Sequence, residues 1–561
     1  MAQMLAKPNP SGRKPILRKD VLEELSKINA RSSFSRARLP IDQQFRSFLG
    51  ADSLLEHNTL LTIDSIPASV RLTRIICTIG PASREVDMLV KLMNAGMNIC
   101  RLNFSHGTYD YHAGTVRNIR EAAKQLPKGN VIAIALDTKG PEIRTGLLID
   151  GPSAEVTLKT GNKIVVTTDD QYMEKCSADI LWVDYKRITS VLNVGGIIYV
   201  DDGLIALKVV NKGFDRLECT VMNGGQLGSK KGCNLPGTMV DLPVVSGKDK
   251  EDLLFGLDQG VDMVFASFIQ DGAGIREMRS ILGNRGKHIK IIAKIESFSG
   301  IYNFSDVLKE CDGVMVARGD MGIEIPPEKV FVAQKLMISG CNVAGKPVIC
   351  ATQMLESMTY KPRATRAESN DVANAVLDGA DCVMLSGESA KGLYPVEAVS
   401  HMASVCLEAE SVFFSLRTFQ ELRKFTPVYA DAEHAIALAA VGASYQSMAT
   451  AMMCVSMTGR TAALLSAYRP RCPIIMVTRN ETVARQSLLY RAVIPFVYTG
   501  PWIESWDDEL NAFMTAGLEF GVSSRIVKYN DPLVLVMGMT RGPDNTNCIQ
   551  ILTNKLGESY V

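Results

Sequence analysis

Eight short apolar runs recur along the chain, at 74–81, 97–106, 131–141, 263–269, 289–297, 313–323, 347–354 and 382–389. Each closes on polar, charged or Gly residues, and helical stretches or, once, a long insertion separate them. Short continuous apolar runs are what a parallel strand buried on both faces requires, and eight of them with helical connections predict a (β/α)8 TIM barrel. Chemistry in such a barrel collects at the carboxyl ends of the strands. Here those ends carry Arg101, Asp137, Lys294, Glu296, Asp320, Thr352 and Glu388.

Between the third and fourth runs the texture changes. Brief β-rich segments beginning at Val156, Ile164, Ile197 and Leu217 alternate with Gly and Asp turns, which predicts a small all-β domain inserted at a strand end, placed to act as a lid. The barrel resumes near Ser246, where Ser246 and Asp249 have capping spacing, as do Thr365 and Glu368 before a helix that Gly379 would stop. Beyond about residue 413 the pattern becomes that of a separate α/β domain, with a helix over 432–447 and strands starting at Ala451, Ile474 and Leu533. The expected division is an N-terminal arm and helical segment over 1–70, a barrel over 71–140 and 243–413, a β lid over 141–242, and a C-terminal α/β regulatory domain over 414–561.

At 561 residues the chain exceeds a single core. Its 61 basic and 60 acidic residues leave a net charge of +1, so no global field recruits nucleic acid or a membrane, and local clusters must do any phosphate binding. Thirteen scattered cysteines, with no Cys-x-x-Cys pair, read as small buried hydrophobes in a reducing compartment. No apolar stretch has membrane-spanning length, and the first thirty residues lack a secretory core. Residues 1–40 hold nine Lys or Arg, but Asp20, Glu23 and Glu24 speak against a transit peptide, so the chain reads as cytoplasmic with a basic regulatory arm.

Glu296 and Asp320 close adjacent strands, so their carboxylates can converge on one hard cation such as Mg2+; solvated rim acids are the plainer reading of the same pair. Lys294 lies two residues before Glu296 on the same strand face, where an ammonium can neutralise a transferring phosphoryl group or simply pair with Glu296. Arg101, Asn103 and Ser105 alternate onto one face; the Arg suits a phosphate, and the Asn and Ser oxygens with Asp137 suit a monovalent cation. The turn at Gly319 and Gly322 offers backbone N–H groups to a carboxylate. His106 and His112 show no zinc-type partners, and no GxxxxGK[ST] segment or protein-kinase signature occurs.

At these residues the chain resembles pyruvate kinase. The similarity runs through ICTIGPAS, MNICRLNFSHG, ALDTKGPEIRTG, LGSKKGCNLPG, DMVFASF, IIAKIE, DGVMVARGDMGIEIP, KPVICATQMLESM and DGADCVMLSGESAKGLYP, almost without interruption from about residue 71 to 410. The resemblance implies phosphoryl transfer from phosphoenolpyruvate to ADP, giving pyruvate and ATP, with Mg2+ (or Mn2+) and K+ required and a homotetrameric assembly. It makes Lys294 the phosphoryl-stabilising lysine, Arg101 the phosphate-binding arginine, and Glu296 and Asp320 the Mg2+ ligands. Gly319 and Thr352 match the substrate-carboxylate site, and Thr352 and Ser386 the enolate-protonating side. Asn103, Ser105, Asp137 and Thr138 match the K+ ligands. Asn103, His106, Arg144 and Lys231 lie where the family contacts nucleotide. The loop Ser456, Thr458, Gly459, Arg460 and Thr461 matches the effector site for fructose 1,6-bisphosphate. It departs from the family in Met457, in a helix near Trp506 that looks shorter, and in a missing second-phosphate Arg for which Arg541 is the candidate substitute. The competing expectations are another metal-dependent barrel acting on phosphoenolpyruvate or pyruvate, and a catalytically weak regulatory paralogue.

Overall fold

The computed structural model describes residues 51–127, 129–427, 431–543 and 545–556, so the basic stretch over 1–40 and most of the arm and helical segment expected over 1–70 lie outside the described residues. Eight parallel strands, β1 (Arg74–Thr78), β2 (Ile99–Asn103), β3 (Ala133–Asp137), β4 (Met263–Ala266), β5 (Lys290–Ile295), β6 (Gly313–Ala317), β7 (Val348–Ala351) and β8 (Cys382–Leu385), close into a barrel in sequential order. Successive residues of a strand point to opposite faces. Ile76, Ile99, Phe265, Ile292, Met315 and Ile349 therefore fill the lumen, while Ile75, Cys100, Leu136, Val264, Ile291 and Val314 pack outward under the helices. Both faces are dry, which is why the runs are continuously apolar. Truncating Phe265, fully buried in the lumen, to Ala would cost about 3–5 kcal/mol.

The helix signals hold. Ser246 and Asp249 form a reciprocal capping box on Gly247–Gln259, and Thr365 and Glu368 on Arg366–Asp378, which ends at Gly379 with φ +106°. The Gly319 segment, expected as a turn, is instead a seven-residue helix, Arg318–Glu324. Near Trp506 the helix Trp506–Ser523 runs eighteen residues from a Ser505 cap.

Between β3 and β4 the chain forms a seven-stranded sheet and a two-stranded sheet around their own core. All four segments expected there are strands, although Asp201 and Asp202 of the third sit in a left-handed turn at its tip. The C-terminal sheet has five strands, of which Thr546–Thr553 pairs antiparallel at the edge. This part of the chain plugs the amino end of the barrel. Leu488 and Leu489 join the lumen core, Arg469 pairs with Asp381 just before β8 at 2.6 Å, and Arg485 pairs with Asp262 just before β4 at 2.7 Å. With that end sealed, the open mouth lies at the strand carboxyl ends, beside the inserted sheet.

No helix among the described residues is long and apolar enough to cross a membrane. The cysteines are free, and all but the half-buried Cys548 are buried. Burial pushes the Cys77 thiol and several others up, so they stay neutral and inert.

Candidate active site

At the barrel mouth, strand register brings charges from three strands together. Asn103 lies beside Asp137 in the β2–β3 pairing, which sets Arg101 next to the end of β3. Arg101 donates from Nε to Asp137 Oδ2 at 2.6 Å and from Nη1 to Thr78 Oγ1 at 2.9 Å. Lys294 reaches Asp137 Oδ1 at 3.0 Å, Glu296 Oε1 at 3.0 Å and Ser267 Oγ at 2.6 Å. Ser267 in turn donates to the Thr138 carbonyl at 2.6 Å. The sequence reading missed Ser267. It stands in the DMVFASF motif at the carboxyl end of β4, and that position was the available signal.

The electrostatics of this cluster follow from burial and pairing. Burial works to raise the Asp137 carboxyl, but Arg101 and Lys294 outweigh it and hold the group below its ordinary value. Burial likewise opposes the Lys294 charge, and Asp137 and Glu296 more than restore it. Asp320 differs. Burial, then the facing Glu296 carboxylate, push it up to about 8, with Asp202 of the inserted sheet adding in the same sense. Glu296 also accepts from the Phe268 N–H at 2.6 Å. Two facing carboxylates presenting hard oxygen donors fit a divalent cation whose remaining positions go to substrate and water. Among the described residues no three or more His, Cys, Asp and Glu side chains are arranged so that they could hold a metal ion, so a cation here would rest on two protein carboxylates.

Thr352 follows β7 with φ +73°, and Gln353 follows with φ +57°. A β-branched residue in the left-handed region is strained and needs external support. Arg318 provides it. Its guanidinium donates to the Thr352 carbonyl from Nη2 at 2.7 Å and to the Ala351 carbonyl from Nε at 3.2 Å, while a bidentate pair with Asp371, at 2.6 Å on each arm, fixes its direction. Arg318 was also missed, although it immediately precedes the Gly319 that the motif singled out.

Other expected residues stand apart from this cluster. Glu388 is fully buried and spends both oxygens on the backbone N–H groups of Leu355 and Ser386, so it shapes the loops rather than facing the mouth, a correction to its place among the strand-end groups. Ser386 is half-buried at the start of that loop. Asn103 accepts from the Ser105 N–H at 3.1 Å, and Ser105 and His106 are exposed. His112, buried and stacked on Phe104, hydrogen-bonds the His106 carbonyl. Arg144 and Lys231 lie on the inserted sheet, Arg144 paired with Glu142 and Lys231 with Asp201 at 2.9 Å.

In the C-terminal region a small open cleft is lined by Glu433, Ser456, Thr458, Thr461, Trp506 and Gly542 among others. Ser456 Oγ accepts from the Gly459 N–H at 3.0 Å, and Thr461 and Thr546 hydroxyls bond at 2.8 Å. Arg460 is engaged by Glu433 at 2.5 Å and Asp431 at 3.1 Å. Arg541 pairs with the buried Glu509 at 2.7 Å and lies over the Trp502 ring. The expectation that Arg541 stands in for the missing phosphate-gripping Arg meets a guanidinium already committed elsewhere.

Comparison with known proteins agrees with this geometry. The family model for the pyruvate kinase barrel domain matches residues 70–399, and that for the pyruvate kinase alpha/beta domain matches residues 434–552. The human pyruvate kinase PKLR is 48% identical over 548 residues, covering 97% of this chain and 94% of that protein. Pyruvate kinase from Candida albicans is 48% identical over 492 residues, with 87% and 97% covered, and that from Schizosaccharomyces pombe is 50% identical over 490 residues, with 87% and 95% covered. With its strand-end charges on an eight-stranded barrel and both family models matched, the chain belongs to the pyruvate kinase family of phosphotransferases.

Proposed function

We propose that this chain transfers the phosphoryl group of phosphoenolpyruvate to ADP, giving pyruvate and ATP, the closing step of glycolysis. The observation that carries the reading is the buried constellation of Arg101, Asp137, Lys294, Glu296 and Asp320 at the barrel mouth. In-line phosphoryl transfer demands positioning and charge neutralisation more than covalent chemistry. Arg101 and Lys294 supply fixed positive charge for the phosphoryl oxygens, with Asp137 orienting both. The Gly319 helix start and Thr352 receive the substrate carboxylate, and Thr352 and Ser386 border the side on which the enolate gains its proton. Asn103, His106, Arg144 and Lys231 take the nucleotide as the inserted sheet, residues 141–242 in our division of the chain, closes and excludes water that would hydrolyse the phosphate.

Glu296 and Asp320 would hold Mg2+ or Mn2+, and Asn103, Ser105, Asp137 and Thr138 would hold K+; the cations supply charge neutralisation when bound. We assign the Ser456, Thr458, Gly459, Arg460 and Thr461 loop to a phosphorylated effector, with fructose 1,6-bisphosphate as the first candidate. A homotetramer acting in the cytoplasm on small-molecule substrates completes the reading. A carbon–carbon lyase on the same barrel is disfavoured by the inserted sheet and Lys231, and a catalytically weak paralogue by the intact Lys294, Glu296, Asp320 and Thr352. The test is pyruvate formation from phosphoenolpyruvate with and without ADP. ADP-dependent turnover is expected; pyruvate release without ADP, or none with it, overturns the assignment.

A further inference from the structure

The helix Arg318–Glu324 is held at both ends. Arg318 ties its start to Thr352 and Asp371, as described above. At its other end Glu324 is buried, and its Oε1 accepts from Asn234 Nδ2 at 2.8 Å. The Leu235 N–H also donates to the Glu324 carboxylate, and the Glu324 carbonyl accepts from the Gly237 N–H at 3.1 Å. Asn234, Leu235 and Gly237 belong to the segment by which the chain leaves the inserted sheet and returns to the barrel.

A second point of contact lies beside the first. Asn234 pairs with Tyr199 on the neighbouring strand, whose tip is the turn through Asp201, Asp202 and Gly203. A β-carbon on Gly203 would stand 4.0 Å from Ile323 Cγ2, so this tip rests on the same helix. Asp202 at the tip is near enough to Asp320 to add to the rise in its carboxyl. A seven-residue helix has too few internal bonds to absorb a displacement at one end without passing it to the other. Asp320, its third residue, sits between the two anchors.

We propose that Glu324 is a positioning residue that couples the inserted lid to the Gly319–Asp320 site, through its hydrogen bond to Asn234 and its hold on the returning strand. The inference rests on the phosphotransferase reading and adds to it the route by which lid position sets the aim of Gly319 and Asp320. A lid anchored to this helix draws both residues into register when it closes. A lid cut loose leaves the helix aimed by Arg318 alone.

The test uses the full-length chain with Asn234→Ala, Glu324→Leu and the double variant. Kinetic constants for phosphoenolpyruvate and ADP, Mn2+ binding to the free enzyme by electron paramagnetic resonance, and melting temperature are measured for each. The loss of one hydrogen bond to a buried carboxylate is expected to lower kcat about tenfold. The KM for phosphoenolpyruvate rises more than that for ADP, Mn2+ binds more weakly, and the double variant is no worse than the poorer single one, because both remove the same link. A purely structural role would lower the melting temperature while leaving kcat per folded molecule and Mn2+ affinity unchanged, and that result overturns the coupling. Additive losses in the double variant overturn it too. A wild-type chain without ADP-dependent turnover overturns the activity itself, so the two failures are distinct.

Discussion

Gly319 lies directly against Thr352: a β-carbon on Gly319 would stand 2.8 Å from Thr352 Cγ2. The start of the helix after β6 and the strained turn after β7 thus approach as closely as backbone and side chain allow. Overpacking of this kind typically costs about 1–3 kcal/mol. Gly319→Ala is expected to lower kcat/KM for phosphoenolpyruvate by about tenfold or more on that scale. Combining it with Thr352→Ser, which removes Cγ2, should recover part of the loss. Steady-state kinetics of the three variants check this, and no recovery in the double variant would show that the contact is not the cause.

Lys294→Met should lose turnover and also stability. A preorganised charge aimed at the transition state is worth about 3–4 kcal/mol, or roughly 10²- to 10³-fold in rate. Asp137 and Glu296, each about 1% exposed, would lose the ammonium between them. Breaking a buried pair from one side costs about 3–5 kcal/mol. Single-turnover phosphoryl transfer and melting temperature test the two halves separately; near-wild-type transfer would remove Lys294 from its role.

Asp320 ties stability to pH and metal in a definite direction. Its folded value is raised to about 8 from an ordinary 3.8, so between those limits the folded state holds a proton that the unfolded state has released. The associated stability is fully present below 3.8 and is lost as pH rises through about 8. The metal-free protein should therefore melt at progressively lower temperature from pH 5 to pH 9 on this account, and Mn2+, which needs the ionised carboxylate, should bind more tightly over the same interval and restore the alkaline loss. Scanning calorimetry across pH, with and without Mn2+, measures both. An Asp320→Asn variant retaining the full metal-dependent shift would place the cation elsewhere.

Activity should require K+, with Na+ or Li+ substituting poorly. Asn103, Ser105, Asp137 and Thr138 are the proposed K+ ligands, of which Asn103 lies beside Asp137 in the β2–β3 pairing; Glu142 is paired with Arg144 and lies 3.9 Å from Lys139. Glu142→Lys would place a cation there and set it against both neighbours, so it should reduce the K+ requirement while weakening ADP binding. Rates in tetramethylammonium buffer with graded KCl give the answer. Full rate without K+ refutes the requirement.

Fructose 1,6-bisphosphate should bind weakly. Arg460 is engaged by Glu433 and Asp431, and Arg541 by Glu509, so a second phosphate meets no ready guanidinium at this cleft. The missing charge-assisted contact amounts to about 1.5–3 kcal/mol, or roughly 10- to 150-fold in affinity. Glu433→Gln, which removes one of the two carboxylates holding Arg460 and a negative charge lining the cleft, should tighten binding. By linkage any effector that lowers the phosphoenolpyruvate half-saturation must bind better when that substrate is present. Calorimetric titration of wild type and Glu433→Gln, with and without phosphoenolpyruvate, tests this; tight binding to wild type that Arg460→Ala leaves unchanged would locate the site elsewhere.

The barrel was legible because its signal is local and repeated. Each strand is buried on both faces, so every residue from Ile75 to Cys77 or from Ile291 to Ala293 must be apolar or small, and the run marks itself. Capping at Ser246 and Thr365 was legible for the same reason, since the bonds close within three residues. The strands Ile180–Trp182 and Thr546–Thr553 were not, being short in one case and mixed polar at a sheet edge in the other, where one face meets water and the pattern loses contrast.

At the active site the sequence by itself determined which residue types stand at the strand ends, and so the class of chemistry. Only the tertiary structure decided what each one touches. Glu388 and Glu296 both follow barrel strands, each before a Ser, yet backbone N–H groups take up both oxygens of Glu388 while Glu296 faces Lys294 and Asp320. Arg318 and Asp371, 53 residues apart, meet because the helices Arg318–Glu324 and Arg366–Asp378 come together beside the Thr352 turn, whose strain the fold imposes. Likewise Arg541 has the charge a phosphate needs, and its pairing with Glu509 over Trp502 turns that charge inward. Residue type and spacing set what a side chain can do, because hydrophobic period and capping act over a few residues. Long-range packing sets which partner it meets, because burial, charge balance and strain depend on neighbours that the chain brings together only when it folds.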